Sequence, residues 1–356
     1  MSPSPAAHGT ILTVTLNLAL DVTYVADGVD WDGVNRVRGV HRRAGGKGVN
    51  VARVLAALGR NVLVTGLTGG LNGRAAEADL AAAGLPAALT PIAAETRATL
   101  AVSDLGPVPS GVSAPDGDGG DGGRTAWRTA LFNEPGPPVT EQELERFLRD
   151  YDTRLDRVEA VVISGSLPPG VPDAFYAELA ARARERGVPA IVDADGEPLR
   201  HAPAGRPTIV KPNAEELARA LAAAREDGPN GSRESPTATE PVAGPDEAFA
   251  GAETLRRGGA EAVVVSLGAG GLLAVTSAGA WRAAMPYRVE GNPTGAGDAL
   301  VAGLALGLVE GTPWPERLRR AAALGAAAVA APVAGDFDRE TFRRIHPEIR
   351  VEPARP

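Results

Sequence analysis

Short runs of apolar residues alternate along the chain with longer segments in which apolar residues recur three and four positions apart. The first pattern is that of strands buried in a sheet, the second that of helices with one buried face. Strands are predicted at residues 11–16, 61–66, 95–102, 125–132, 160–164, 189–193, 208–211, 262–267 and 272–275. Helices are predicted at 51–58, 73–84, 140–151, 173–186, 248–257, 299–308 and 314–331, and a further one opens at 213–216. Thr140, followed three residues later by Glu143, forms a capping-box pattern that marks the start of its helix. The alternation predicts an α/β fold: a doubly wound, mostly parallel sheet flanked by helices, in one domain over residues 1–356. Two stretches, 22–43 and 97–132, break the alternation and predict a small β-sheet lid at one edge. Two others, 105–124 and 226–244, are low in complexity and without period, and are expected to be flexible inserts.

Composition narrows the core and the partners. Hydrophobic residues make up 44% of the 356 positions and aromatics only 4%, so the core must be built from Ala, Val and Leu. The chain has no cysteine, which excludes disulfides and zinc-thiolate sites and fits a reducing, cytoplasmic setting. No long apolar run or leader-like start is present, so neither a membrane span nor a signal peptide is expected. A net charge of −8 argues against nucleic acid as a partner. An anionic ligand would need a local cationic site, and one run supplies it: Arg36, Arg38, Arg42, Arg43 and Lys47 lie close together with no acid between them. Arg38, Arg42 and Arg43 read best as a solvated face. Lysine is rare: of 36 basic residues only Lys47 and Lys211 are lysine, and both fall at loop-to-helix junctions. An ammonium is a compact point charge that a guanidinium does not replace.

Chemistry concentrates at such junctions. Residues 291–298 read Gly-Asn-Pro-Thr-Gly-Ala-Gly-Asp and precede a small-residue, apolar helix. Gly295, Ala296 and Gly297 therefore sit where backbone N–H groups have no intrahelical partner and the helix dipole favours an anion. Asp298 beside them is either a first-turn carboxylate or a general base acting on a hydroxyl that attacks a phosphoryl group. No P-loop is present, and Leu300 occupies the place of the third glycine of a dinucleotide fingerprint. Gly45-Gly46-Lys47-Gly48-Val49-Asn50 opens another helix: Lys47 can offer charge to a phosphate and Asn50 can bond hydroxyls. Asp21, after the first strand, is either a turn residue or an acceptor for sugar hydroxyls. Arg97 is either a solvent-facing strand residue or a phosphate ligand.

Together, Gly45-Gly46-Lys47-Gly48-x-Asn50, Lys211-Pro212-Asn213-x-x-Glu216 and Gly295-Ala296-Gly297-Asp298 resemble the ribokinase-like (PfkB) sugar kinase family over nearly the whole chain apart from the inserts. Asn35-Arg36-Val37, Thr96-Arg97 and Asn133-Glu134-Pro135-Gly136 resemble its phosphosugar branch, which includes 1-phosphofructokinase and tagatose-6-phosphate kinase. The resemblance implies a ribokinase-like fold and an ATP- and Mg²⁺-dependent kinase of a hexose phosphate, with fructose 1-phosphate the leading substrate. Tagatose 6-phosphate and fructose 6-phosphate come next, then a neutral sugar or nucleoside; a catalytically silent sugar-phosphate sensor is the rival from another class. It implies that Asp298 is the base and that the amides of Gly295, Ala296 and Gly297 stabilise the transferring phosphoryl group. Asp21, Gly46 and Asn50 would hold the sugar, and Arg36, Lys47 and Arg97 its phosphate. Lys211, Ser266, Gly268 and Gly271 would line the ATP site, and Asn213 and Glu216 would hold Mg²⁺. It further implies a homodimer formed through the lid. Leu18, Thr99, Asp195 and Pro293-Thr294 depart from the family's commoner residues without removing a catalytic group, and Thr99 and Asp195 bear on the choice of sugar.

Overall fold

The computed structural model describes residues 9–30, 32–104, 128–226 and 245–354. The insert expected at 105–124 lies outside them, as does the one at 226–244 apart from Glu226.

The chain begins with β1 (Thr10–Thr15), then lid strands β2 (Ala19–Ala26) and β3 (Gly39–Gly45). Helix α1 (Lys47–Ala57), β4 (Asn61–Thr68), α2 (Gly70–Ala82) and β5 (Thr90–Pro91) follow, and β6 (Arg97–Asp104) and β7 (Arg128–Asn133) complete the lid. The second half runs α3 (Glu141–Leu155), β8 (Val158–Ser164), α4 (Phe175–Glu185), β9 (Ala190–Asp193), α5 (Gly196–His201), β10 (Ile209–Val210), α6 (Ala214–Glu226), α7 (Pro245–Arg257) and β11 (Ala262–Ser266). Strands β12 (Leu272–Thr276) and β13 (Gly279–Ala284), helices α8 (Ala296–Val309), α9 (Trp314–Val329) and α10 (Arg339–Ile345), and strand β14 (Arg350–Ala354) close it.

The main sheet has the order β14-β13-β12-β11-β10-β9-β8-β1-β4-β5. Neighbours from β5 to β11 pair in parallel, and β11 to β14 pair antiparallel. Parallel strands are covered by helices on both faces, which requires near-continuous apolar sequence; Val-Val-Ile in β8 and Val-Val-Val in β11 supply it, each side chain fully buried. One core cluster gathers α1, α8 and α9 and the other α3, α4, α6 and α7. Helix α8 is apolar all round, with Val301, Leu304 and Ala305 fully buried, as a helix enclosed on every side must be. Each such leucine or valine contributes about 1.5–3 kcal/mol by leaving water.

Strand β1 lies between β4 and β8, so the chain leaves it in one direction first and the other later. Ligands collect beyond the carboxyl ends of strands at such a reversal. The lid is a separate four-stranded sheet, β3-β2-β6-β7, rooted at the carboxyl end of β1. Three features differ from the sequence expectation. Helices α1 and α8 begin at Lys47 and Ala296 rather than at 51 and 299, because their glycine-containing first turns are already helical. Strands β13 and β14 and helices α5 and α10 were not anticipated, being short and without a clear apolar period.

Candidate active site

Gly295 caps α8 with φ 84°, a conformation that favours glycine, and a Cβ there would come within 2.9 Å of the Ala334 Cα. The first helical bond is donated by Ala299 N–H to Gly295 O at 3.0 Å, so the amides of Gly297 and Asp298 lie ahead of it. Gly297 faces open space. Ala296 departs from the expected ring of amides: its N–H donates to Pro293 O at 3.1 Å and closes the turn. Asp298, in the same first turn, is only 6% exposed. Asn50 Nδ2 donates to its Oδ2 at 2.8 Å, so Asn50 orients this carboxylate as well as flanking the site. Burial, aided by the negative charge of Asp193, pushes the Asp298 carboxyl up to about 7 against the opposing pull of Lys47 and the Asn50 bond.

Both lysines of the chain meet on one carboxylate. Asp193, at the end of β9 and 1% exposed, has Lys211 Nζ 3.1 Å from one oxygen and Lys47 Nζ 3.6 Å from the other. Ser164 Oγ donates to the same group at 2.9 Å. Burial alone would raise the Asp193 carboxyl; the two ammonium groups and Ser164 outweigh it and hold it below the ordinary carboxylate range. Lys47 also lies 3.7 Å from Glu216 Oε1, and Asp193 above all, with Glu216 and Asp298, holds its ammonium more firmly protonated than usual. Sequence reasoning missed Asp193 as the hub. The rarity of lysine was the signal that could have led there.

Asn213 and Glu216 form a capping box on α6: Asn213 N–H donates to Glu216 Oε2 at 2.7 Å, and Glu216 N–H to Asn213 Oδ1 at 2.8 Å. Asn213, expected as a metal ligand, therefore has its side-chain oxygen engaged by backbone and orients Glu216, whose Oε1 stays directed at Lys47.

A cleft of about 660 Å³ opens beside this cluster, its lining including Thr15, Asn17, Gly46, Lys47, Arg97, Ser166, Asp173, Asp195, Glu197 and Glu216. Gly46 has φ 114° and packs against Thr15, bringing the start of α1 onto the cleft wall. Arg97 is anchored by donating to the carbonyls of Asn17 at 3.1 Å and Glu134 at 3.2 Å. Asp21 lies across from Thr99 and Arg43 in the lid; burial raises its carboxyl, opposed chiefly by Arg97.

Four residues fall elsewhere than expected. Arg36 is exposed on the loop between β2 and β3 and does not line this cleft, because the turn carries it outward from the sheet. Lys211 is buried as the counter-ion of Asp193 rather than presented to a nucleotide. Gly271 is buried in the turn into β12, where a Cβ would collide with the Ala283 carbonyl. Arg43, read as solvated, is half-buried among Arg53, Asp336, Asp79 and Asp21. Ser266 and Gly268 stand at the carboxyl end of β11, beyond the residues that line the cleft.

A mostly parallel sheet with helices on both faces, a detached β lid and a helix-capping glycine turn beside a buried aspartate define a ribokinase-like architecture. The chain belongs to the pfkB family of carbohydrate kinases, whose model matches residues 14–107 and 128–340. It is thus an enzyme that phosphorylates a sugar at the expense of ATP. Among solved structures, phosphofructokinase-2 from Escherichia coli in complex with fructose-6-phosphate is 28% identical, with a TM-score of 0.75 over 96% of this chain and 99% of that one. A Thermotoga maritima protein described as a possible 1-phosphofructokinase is 27% identical, with a TM-score of 0.77 over 97% of this chain and 100% of that one. Arabidopsis thaliana ribokinase complexed with ribose and ATP, 19% identical with a TM-score of 0.67 over 95% and 99%, shares the fold. Among the described residues no helix is long and apolar enough to cross a membrane.

Proposed function

We propose that the chain transfers the γ-phosphoryl group of ATP to a hydroxyl of a hexose phosphate, with fructose 1-phosphate as the preferred acceptor and fructose 1,6-bisphosphate as product. The observation that carries this reading is Asp298: a buried carboxyl, about 7 in pKa, held by Asn50 beside open amides at a helix N-terminus. A base near neutrality is suited to take the proton of an attacking hydroxyl. The amides of Gly297 and Asp298 and the α8 dipole favour the charge that develops on the phosphoryl oxygens, and Lys47 adds a cation. Asp21, Gly46 and Asn50 hold the sugar, and Arg97, steadied by two carbonyls, presents its remaining N–H groups to the phosphate that the substrate already carries. Ser266 and Gly268 sit on the nucleotide side.

Mg²⁺ fits the donors present. Among the described residues no group of three or more Asp, Glu, His or Cys could hold a metal, but Glu216 turns a carboxylate oxygen to the cleft near Asp193. An all-oxygen site with one or two carboxylates is what Mg²⁺ accepts when it keeps most of its water and binds through phosphate. When bound, it neutralises charge on the β- and γ-phosphates; Asn213 would keep Glu216 aimed for that purpose.

Fructose 6-phosphate is the second reading, supported by the likeness to the E. coli protein. A coupled assay over fructose 1-phosphate, fructose 6-phosphate, tagatose 6-phosphate, ribose and a nucleoside decides. The first should win by at least about tenfold in kcat/KM, a margin worth about 1.4 kcal/mol; a preference for a neutral sugar would overturn the reading of Arg97. The outward face of the lid, on which Tyr24, Val40, Leu100, Val102 and Phe132 share one side by register, fits a second copy of the chain. Phe132 is 50% exposed there. Light scattering should give a dimer that Phe132→Asp converts to monomer.

A further inference from the structure

Strand β3 is an edge of the lid sheet, and an edge strand presents peptide groups that no neighbouring strand satisfies. At Ala44, the residue before the Gly45-Gly46 turn, these groups are taken by two side chains of the core. Ala44 N–H donates to Asp79 Oδ2 at 2.9 Å, and Arg53 Nη2 donates to Ala44 O at 3.3 Å. The two side chains pair with each other at 2.6 Å and are largely shielded, with Arg53 12% and Asp79 29% exposed. Asp79 belongs to α2 and Arg53 to α1, so one ion pair grips the backbone of one lid residue, through the two peptide groups that flank it, from two helices of the core.

The grip reaches the reacting end. Arg53 lies one turn beyond Asn50 on α1, and Asn50 holds Asp298 directly. Gly335 packs over both: a Cβ there would come within 3.0 Å of Asn50 Oδ1 and 3.1 Å of Arg53 Cδ. Its neighbour Ala334 packs against Gly295, the cap of α8. The lid carries Asp21 and Arg97 and continues into Gly46 and Lys47. Its placement relative to Asp298 therefore decides whether a bound sugar hydroxyl meets the base, and an error of about 1 Å in such an arrangement can cost on the order of 10² in rate.

We infer that Arg53 and Asp79 are positioning residues: as a clamp on the Ala44 backbone they register the lid, and with it the acceptor sugar, against the phosphoryl-transfer groups of α1 and α8. Neither touches substrate. This rests on the reading of Asp298 as base and of the lid as the sugar-binding side.

The test is a series in the full chain with the hexose phosphate that the substrate panel selects: Arg53→Met, which keeps the stem against Gly335, Asp79→Asn, which keeps an acceptor for Ala44 N–H, and Asp79→Ala. KM for the sugar phosphate should rise and kcat fall, together about tenfold or more in kcat/KM, while KM for ATP stays within about twofold. Asp79→Asn should lie between the parent and Asp79→Ala, and Arg53→Met/Asp79→Ala should be no worse than the worse single variant. Melting temperatures are read alongside. Equal shifts in the two Michaelis constants, losses that track melting temperature, additive effects in the double variant, or kinetics within twofold of the parent would each overturn the inference. Should Asp79→Ala not fold, Arg53→Met and Asp79→Asn carry the same comparison. Failure of the base assignment is recognised separately, by Asp298→Asn turning over normally; the clamp series is judged on a ratio of Michaelis constants with Asp298 in place.

Discussion

In the central sheet β8 buries every residue from Ala160 to Ser164, whereas no residue of β6 in the lid is fully buried. The groups proposed for phosphoryl transfer follow the first pattern: Asp193, Asp298 and Glu216 are all buried, and Lys47 and Lys211 stand among them. The groups proposed to hold the sugar phosphate follow the second, with Asp21 and Arg97 on the lid sheet. Charges that must hold fixed geometry during bond exchange sit where the surrounding packing immobilises them. Groups that must admit and release a polar ligand sit where few contacts need to break. Changes in the core should therefore act on turnover, and changes in the lid on substrate affinity.

The largest expected effect is in the core. Asp298→Asn should lower kcat by about 10²–10⁴ with KM for the sugar phosphate little changed, measured by steady-state kinetics; a loss confined to KM would break the contrast. Next is the lid: Arg97→Ala should cost about 10–100-fold in kcat/KM for the sugar phosphate, mostly in KM, because a charge-assisted bond is worth about 1.5–3 kcal/mol. The same variant should leave any weak activity on a neutral sugar unchanged. Third is pH. Asp298 must be ionised to accept a proton, so kcat/KM should fall as pH drops through about 7, approaching tenfold per unit below it. Arg97→Ala, acting from the lid, should not move that limb.

The smallest effect is on stability, with a sign opposite to that on activity. The Asp298 carboxyl titrates above its ordinary 3.8 in the folded protein, so folding favours the proton. Holding the ionised form destabilises the fold as pH rises from 3.8 to about 7, and that cost is complete above. Asp298→Asn should accordingly melt roughly 2–6 °C higher at pH 8, with the difference vanishing near pH 4. A lower melting temperature at pH 8 would mean that the carboxylate stabilises the fold.

What could be read from residue order, and what could not, is shown by two boxes. Thr140-x-x-Glu143 reads as a helix start and is one: Glu143 N–H donates to Thr140 Oγ1 at 3.4 Å and Thr140 N–H to Glu143 Oε2 at 2.8 Å. Asn213-x-x-Glu216 has the same spacing and makes the same reciprocal bonds, yet it reads as a metal pair once a kinase resemblance draws the eye. Local periodicity also placed the core strands and α8, because burial on all sides leaves an unbroken apolar signature. It could not place β14, whose Arg-Val-Glu-Pro-Ala becomes a strand only by pairing with β13. Nor could it find Asp193 as the meeting point of the two lysines, since Lys47, Asp193 and Lys211 converge through tertiary folding alone. Arg36 and Arg43 show the reverse failure: neighbours in a basic run, one projects outward on a loop and the other turns into the seam between lid and core.

The scarcity of lysine has a practical outcome for reagents that acylate or carbamylate amines. With Lys211 side chain 4% exposed and Lys47 39% exposed, Lys47 is the one accessible side-chain amine, and it lines the candidate cleft. Its reinforced protonation leaves only a small neutral fraction to react, so modification is slow and is read as a rate. Such a reagent becomes a titrant of cleft occupancy: the rate at which one defined peptide gains mass should drop when nucleotide or sugar phosphate shields it.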